Sequence, residues 1–304
     1  MLLYHRLVED RDYPLIPPPE SIFSMPVSRF EAQLDYLRRT GFEALTLPRF
    51  ERIILGQEKA PARSVLITFD DGSESVHRLA APRLAARGMP GVVFVTVDER
   101  ARIFVQPHSQ RRMTPDEMRA VEKQGVSCES HGMTHAGLGD LDDAALRMEL
   151  LESRQRVGAL VGREVMSLAL PLNSYDRRVF PAARAAGYRL VFTSNPGVSR
   201  SGDPPLALRR ILVEGGGSLE DFIRSLSPAG LIFRRILAWL KRVPPRLLGY
   251  RRWMPMRRAL FGSPVGRLLT PAAMRRLLLL LAALAALAVA GALAVSLLRG
   301  TGHN

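Results

Sequence analysis

Cysteine is nearly absent from this chain: Cys128 is the single one among 304 residues. A lone thiol closes no internal disulfide, so the fold must rest on its core, nothing points to an oxidising compartment, and packing is the expected role of Cys128. Acidic residues are missing altogether from residues 229–304, which carry thirteen Arg and Lys. Subtracting that block from the net charge of +14 leaves residues 1–228 near +1. The asymmetry excludes a basic substrate groove in the main domain and assigns the positive charge to a partner of the tail alone. Histidine is scarce too, six in all and none between His135 and His303. Before Tyr4, His5 and Arg6 there is only Met-Leu-Leu, too little apolar sequence for an export signal, so the amino-terminal domain is not expected to be exported. No internal repeat stands out, and a hydrophobic content of 47% supports a core and excludes a disordered or collagen-like chain.

What is present begins with Val65 to Gly72, Val-Leu-Ile-Thr-Phe-Asp-Asp-Gly, an apolar run that stops at two adjacent carboxylates. The run reads as a buried strand that delivers Asp70 and Asp71 to its carboxyl end, where sites in parallel α/β folds are built. On an extended backbone neighbouring side chains point to opposite sides, so one aspartate can ligate a cation while the other takes a proton. Further on, Ser-His-Gly-Met-Thr-His at 130–135 sets two histidines four residues apart. With one of the aspartates, His131 and His135 make a His2Asp face with positions left open for water and substrate, the pattern of a catalytic metal site.

The surrounding pattern alternates strand and helix. Leu2 to Leu7 reads as a strand, and a Pro-rich loop through Pro14, Pro17, Pro18 and Pro19 follows it. Ser28 to Thr40 is a helix, Phe42 to Leu47 a strand, Ser75 to Arg87 a helix and Gly91 to Val97 a strand. Thr114 to Gln124 is a helix opened by a Thr-Pro-Asp-Glu cap, and Val126 to Cys128 is the strand that carries the histidines. Asp142 to Val161 is the longest helix, Val165 to Leu172 a strand, Ala182 to Thr193 a helix and strand, and Leu206 to Val213 the last strand. Such alternation predicts a parallel sheet or barrel.

Thr-Phe-Asp-Asp-Gly at 68–72 and Ser-His-x-x-x-His at 130–135 resemble the first two motifs of the NodB-type polysaccharide deacetylases, over roughly residues 1–225. The resemblance implies a deformed (β/α) barrel with Asp70 as base and Asp71, His131 and His135 around a divalent metal, most readily Zn2+. The opening Tyr4-His5 is similar to that of circularly shifted members, and because no later histidine is available, His5 is the candidate general acid. Arg210 fits the arginine that holds the base, while alternation sends Arg209 to the opposite face. The third motif departs from the family: Leu170-Pro171-Leu172-Asn173 lacks both its aromatic and its glycine. Asn173 tolerates positive φ, so the turn is expected to survive with an altered pocket wall. Glu129 stands where the family tends to have glycine. Tyr4, Glu129, Pro171, Leu172 and Asn173 are therefore the candidate substrate-binding residues.

Behind the domain of residues 1–228, residues 229–276 mix arginine pairs with Trp, Phe, Ile and Leu and read as segments lying on anionic membrane lipids. Leu277 to Leu298 is a chargeless run of 22 residues, about 33 Å as a helix and enough for one transmembrane span before the short tail 299–304. Twelve positive residues between 229 and 276, against Arg299 beyond the span, place the main domain in the cytoplasm. No nucleic-acid partner is expected. The whole predicts deacylation of an amino sugar, in a glycan or a lipid-linked precursor at the inner leaflet. A glycan-binding or scaffold protein on the same barrel is the alternative, favoured only by the altered third motif and Glu129.

Overall fold

Seven short parallel strands close on themselves in chain order: Leu2–Tyr4, Ile67–Phe69, Gly91–Val95, Val126–Ser130, Ser167–Ala169, Leu190–Pro196 and Leu208–Leu212. Closure comes from Leu2–Tyr4, which pairs with Ile67–Phe69 on one side and with Leu208–Leu212 on the other. The computed structural model describes residues 1–18, 20–98, 111–232 and 234–235. The expected span at 277–298 and nearly all of the basic segment lie outside these residues, and among the described ones no helix is long and apolar enough to cross a membrane.

The strands are apolar on both faces because the barrel has two cores. Outward-facing Leu2, Tyr4, Ile67, Phe69, Val93, Val95, Cys128, Leu168 and Val191 pack under the helices. Inward-facing Leu66, Val92, Phe94, Ala169, Leu190, Phe192 and Leu208 fill the lumen, joined by Phe50, Ile53 and Ile54 from the helix Leu47–Ile54. That helix explains a departure from the expected strand Phe42 to Leu47. Only Glu43–Ala44 is extended, pairing with Ser64–Val65, and the Thr46 side chain then caps a helix whose second residue is Pro48. The helix plugs the lumen with hydrocarbon, which leaves the carboxyl ends of the strands as the place for polar groups.

Helix boundaries follow local chemistry. Pro115–Lys123 opens on a reciprocal Thr114 and Glu117 capping box, and Asp143–Val161 opens on the Asp142 carboxylate and closes on Gly162 at φ 74°. The expected helix from Ser75 is a π-helical turn, Val76–Ala80, running into Ala81–Ala85. Pro82 accounts for the widened turn, since it offers no N–H to the preceding turn and its ring crowds the carbonyl behind it. The expected strand Leu2 to Leu7 breaks at His5: Leu2–Tyr4 enters the barrel, and Arg6–Val8 leaves it to pair with Ser24–Pro26. The break sets His5 at the lip.

Candidate active site

At the end of the Ile67–Phe69 strand the backbone turns at once. Asp70 still follows the strand, its N–H donating to the Tyr4 carbonyl at 3.0 Å, but Asp71 and Gly72 both take φ 76°. Aspartate is among the few non-glycine residues that enter this region at low cost, and at Gly72 a Cβ would lie 2.9 Å from Val95 Cγ1. The two carboxylates therefore do not point to opposite sides, as an extended chain would have them. Both serve the mouth of the barrel, with different partners.

Asp71 meets the histidines. Its Oδ1 lies 3.3 Å from Nε2 of His131 and 3.3 Å from Nε2 of His135, and the three ligand atoms all fall within 4.8 Å of one another. His131 follows the strand Val126–Ser130 directly, with Nδ1 2.9 Å from the Ala169 carbonyl oxygen. A carbonyl only accepts, so Nδ1 carries a hydrogen, and Nε2 is the ring atom turned to the cluster, a donor to Asp71 when the ring is protonated and a lone pair for a cation when it is neutral. His135 reaches the same point from a loop, not a helix, with Gly132 at φ 75° and His135 itself at φ 62°. Two nitrogens and one oxygen, nearly dry and converging from two chain segments, fit a divalent cation of the borderline-soft type. Burial would raise the Asp71 carboxyl, but hydrogen bonds from His131 and His135 hold it far below the usual range. His131 is disfavoured as a cation by burial, yet Asp70 and Asp71 raise its pKa above the ordinary value.

Asp70 meets Arg210. The guanidinium donates from Nη1 to Oδ1 at 2.6 Å and from Nη2 to Oδ2 at 2.8 Å, a bidentate pair. Nε donates to the Thr193 carbonyl at 3.1 Å, Nη1 also reaches Thr68 Oγ1 at 3.3 Å, and the guanidinium lies over the Phe94 ring at 5.5 Å. Phe94 thus marks the level at which the lumen changes from apolar to charged. Burial pushes the Asp70 carboxyl up, but the charges of Arg210 and His131 outweigh it and the pKa sits below the usual value. Of the two arginines, Arg210 is buried on the lumen side and Arg209 is exposed.

His5 packs edge-on against Phe23, ring centroids 4.7 Å apart, and its buried Nδ1 has no hydrogen-bond partner. Burial lowers its pKa, opposed by the charges of Asp71 and Asp70. On the other rim, Leu172 and Asn173 take φ 55° and 51°. The Asn173 side chain accepts from the Ser194 N–H at 2.8 Å and donates to Asn195 Oδ1 at 3.0 Å, which ties the turn to the neighbouring strand. Pro171 is buried under the turn, and the Leu172 side chain stands out in solvent at 70% exposure.

Two expected substrate contacts are corrected. Tyr4 shares strand parity with Leu2 and faces the helices, where its hydroxyl donates to Gln33 Oε1 at 2.8 Å and its ring packs in one cluster with Phe30 and Phe69. Glu129 is also withdrawn from the mouth. One carboxylate oxygen accepts from Arg163 at 2.8 Å and the other from the N–H groups of Met166 and Ser167 at 3.1 and 2.8 Å, so it is anchored at the start of the next strand. The groups that sequence reasoning missed are Thr68, Thr193 and Phe23. No periodicity marks the first two, and the third lies in a 3-10 turn with no pattern of its own.

A closed parallel barrel that gathers a His2Asp cluster and an arginine-held aspartate at its carboxyl-terminal mouth defines a barrel hydrolase with a candidate metal centre. Comparison with known proteins narrows this class. Residues 57–191 match the family model for polysaccharide deacetylase. The chain is 28% identical over 199 residues to the putative polysaccharide deacetylase YxkH of Bacillus subtilis, covering 65% of this chain and 68% of that protein. Its fold is that of the Streptococcus pyogenes deacetylase PplD in complex with acetate (TM-score 0.64, 20% identity, 75% of this chain and 97% of that one). IcaB from Ammonifex degensii is similar as well (TM-score 0.57, 23% identity, 78% and 94%). The matched region is that of a carbohydrate esterase class, hydrolases acting on the amide bonds of N-acetyl sugars.

Proposed function

We propose that this protein removes an acyl group, acetyl or formyl, from the nitrogen of an amino sugar, with Asp71, His131 and His135 holding a divalent cation, Zn2+ by its donor chemistry. The observation that carries the reading is the convergence of those three ligand atoms beside the Asp70–Arg210 pair. When bound, the cation supplies Lewis acidity, making water a better acid and steadying negative charge on the amide oxygen. Asp70, kept ionised by Arg210, accepts the proton of the attacking water. His5, at the end of the neighbouring strand, protonates the departing amine. Leu172 and Asn173 form the wall against which the sugar rests, with an aliphatic side chain where an aromatic would stack. A scaffold without catalysis has no use for a desolvated Asp70 held in bidentate grip.

The tail directs the choice of substrate. A chargeless run at 277–298 preceded by twelve arginines and lysines anchors the barrel at the cytoplasmic leaflet, where a polyprenyl-linked amino sugar is within reach. Protease added to intact cells should then spare residues 1–228; their digestion from outside would turn the reading toward an exported polysaccharide.

The catalytic assignment is tested by pairing metal analysis with deacylation assays on lipid-linked amino sugars. Asp71→Ala should strip metal and activity together. Asp70→Asn should keep the metal and lose about 10²- to 10⁴-fold in rate, the range of a removed general base. If Asp70→Asn empties the site as thoroughly as Asp71→Ala, the division between the two aspartates is wrong.

A further inference from the structure

His131 and His135 are joined by three residues, and that connection is not self-supporting. It contains Gly132 at φ 75° and ends with His135 at φ 62°, a region that residues with a Cβ seldom occupy and that the surroundings must hold. The enforcing group is Glu149, sixteen residues on from Met133 along the chain and 7% exposed in the long helix Asp143–Val161. Its Oε1 accepts from the Met133 N–H at 2.9 Å, the Thr134 N–H at 2.7 Å and the Thr134 hydroxyl at 3.1 Å, with Oε2 3.2 Å from the same hydroxyl. Gly132 makes room for it: a Cβ there would lie 3.1 Å from Glu149 Oε1 and 3.3 Å from Pro171 Cγ.

Three features thus converge on one carboxylate: two backbone donors in a row, a glycine that lets it approach, and a strained histidine immediately beyond. We propose that Glu149 is the positioning residue of the metal centre, a hydrogen-bond acceptor that locks the 131–135 loop so that the His135 imidazole is presented to the cation before the cation arrives. It touches neither substrate nor metal. Without it Met133 and Thr134 lose their acceptor, the φ of His135 relaxes, and one ligand of three is no longer pre-set. The inference rests on the assignment of Asp71, His131 and His135 as ligands.

Cobalt(II) titrated into the metal-free full-length protein, followed by its visible absorption, reads affinity and ligand geometry without any turnover. Glu149→Met keeps bulk and helix propensity but has no strong acceptor, and it should lose about 10- to 100-fold in affinity, the usual cost of a lost supporting hydrogen bond, with a changed spectrum. Glu149→Gln retains the acceptor oxygen and should bind within about threefold of the parent, well short of that loss. Parent-like binding by Glu149→Met, or equal losses in both variants, overturns the proposal. Amide exchange in the metal-free parent decides the matter even if Glu149→Met does not fold: Met133 and Thr134 should be protected, and free exchange at both would overturn it. Asp71→Ala separates the two levels. If it binds cobalt like the parent, the ligand set is wrong; if it fails to bind while Glu149→Met binds normally, only the role of Glu149 falls.

Discussion

Two buried carboxylates, each paired with an arginine, occupy different ends of this barrel, and they behave in opposite ways. At the mouth, Asp70 is gripped by both Nη atoms of an Arg210 that is itself without solvent exposure. At the start of the Ser167–Ala169 strand, Glu129 shares Arg163 with Glu122, and the Arg163 side chain is 34% exposed. Burial opposes ionisation in both. It is overcome at Asp70, whose pKa is lowered by Arg210 and His131, and it prevails at Glu129, whose pKa is raised although Arg163 and two backbone N–H groups work against it. An arginine that faces water and serves two acids is screened and divided, whereas one sealed in the lumen spends its charge on a single partner. The same residue pair therefore makes a ready proton acceptor in one place and a strand anchor in the other.

The contrast breaks first at Arg210. Arg210→Gln leaves Asp70 buried without its counter-charge, and a loss of about 3–5 kcal/mol in stability is expected from denaturant midpoints. The sign of the pH effect is also fixed. Arg210 favours the ionised carboxylate, so its removal raises the pKa of Asp70, and the acidic limb of kcat/KM should move to higher pH. In the parent, an acid with a lowered folded pKa stabilises the protein above its unfolded value, and that contribution fades as pH falls through the folded one. The variant should lack this acid dependence. An unmoved acidic limb would mean that Arg210 supports the strand and nothing more.

A smaller effect belongs to His5, at the end of the strand that lies between the Asp70 and Arg210 strands. His5→Ala should keep its metal content while turnover drops about 10²-fold, the size of a lost general acid. Rates equal to the parent in a metal-replete sample would remove His5 from the reaction and leave it as the packing partner of Phe23.

Much of this mouth was legible in the sequence because strand parity and an abrupt end to an apolar run are local signals. The places of Asp70, Asp71, His131 and His135 came from such signals, whereas the division between base and ligands came from the resemblance, and the turn at Asp71 left the expected alternation of the two aspartates unrealised. Alternation put Arg209 and Arg210 on opposite faces without saying which one met the site, and the preference for Arg210 came from the resemblance and its place before Ile211. The same rule, applied to Tyr4, would have sent it to the helix side with Leu2, while odd-numbered His5 stays with the lumen; naming the adjacent pair together overlooked that. Glu129 was unreadable for another reason. Its partner Arg163 is 34 residues away, and the amides that hold it belong to the next strand, so no local pattern records the capture. The grip of Glu149 on the histidine loop is hidden likewise, since a backbone N–H carries no sequence signature. The expected strand Phe42 to Leu47 is realised only at Glu43–Ala44 and the plug helix Leu47–Ile54 was not anticipated, since a short apolar run does not distinguish strand from helix.

The gentlest test is at Glu129, where the comparison predicts a change in stability without a change in chemistry. Glu129→Gln keeps one acceptor oxygen for the Met166 and Ser167 N–H groups but turns an amide NH2 toward Arg163, which still has Glu122. A loss of about 1–3 kcal/mol is expected, the cost of one spoiled buried hydrogen bond, lessened by the exposure of Arg163. The pH dependence runs opposite to that of Asp70. A carboxyl whose folded pKa lies above its unfolded value stabilises the protein below the unfolded value, and that contribution is lost as pH rises through the folded one. The variant cannot titrate there, so the gap between parent and Glu129→Gln should be widest in acid and narrow as pH rises past the ordinary glutamate value of 4.5. Cation content and kcat should match the parent throughout, because Glu129 faces away from the mouth. A variant that lost metal or turnover at full stability would join the two carboxylates into one functional network and dissolve the distinction between the ends of the barrel.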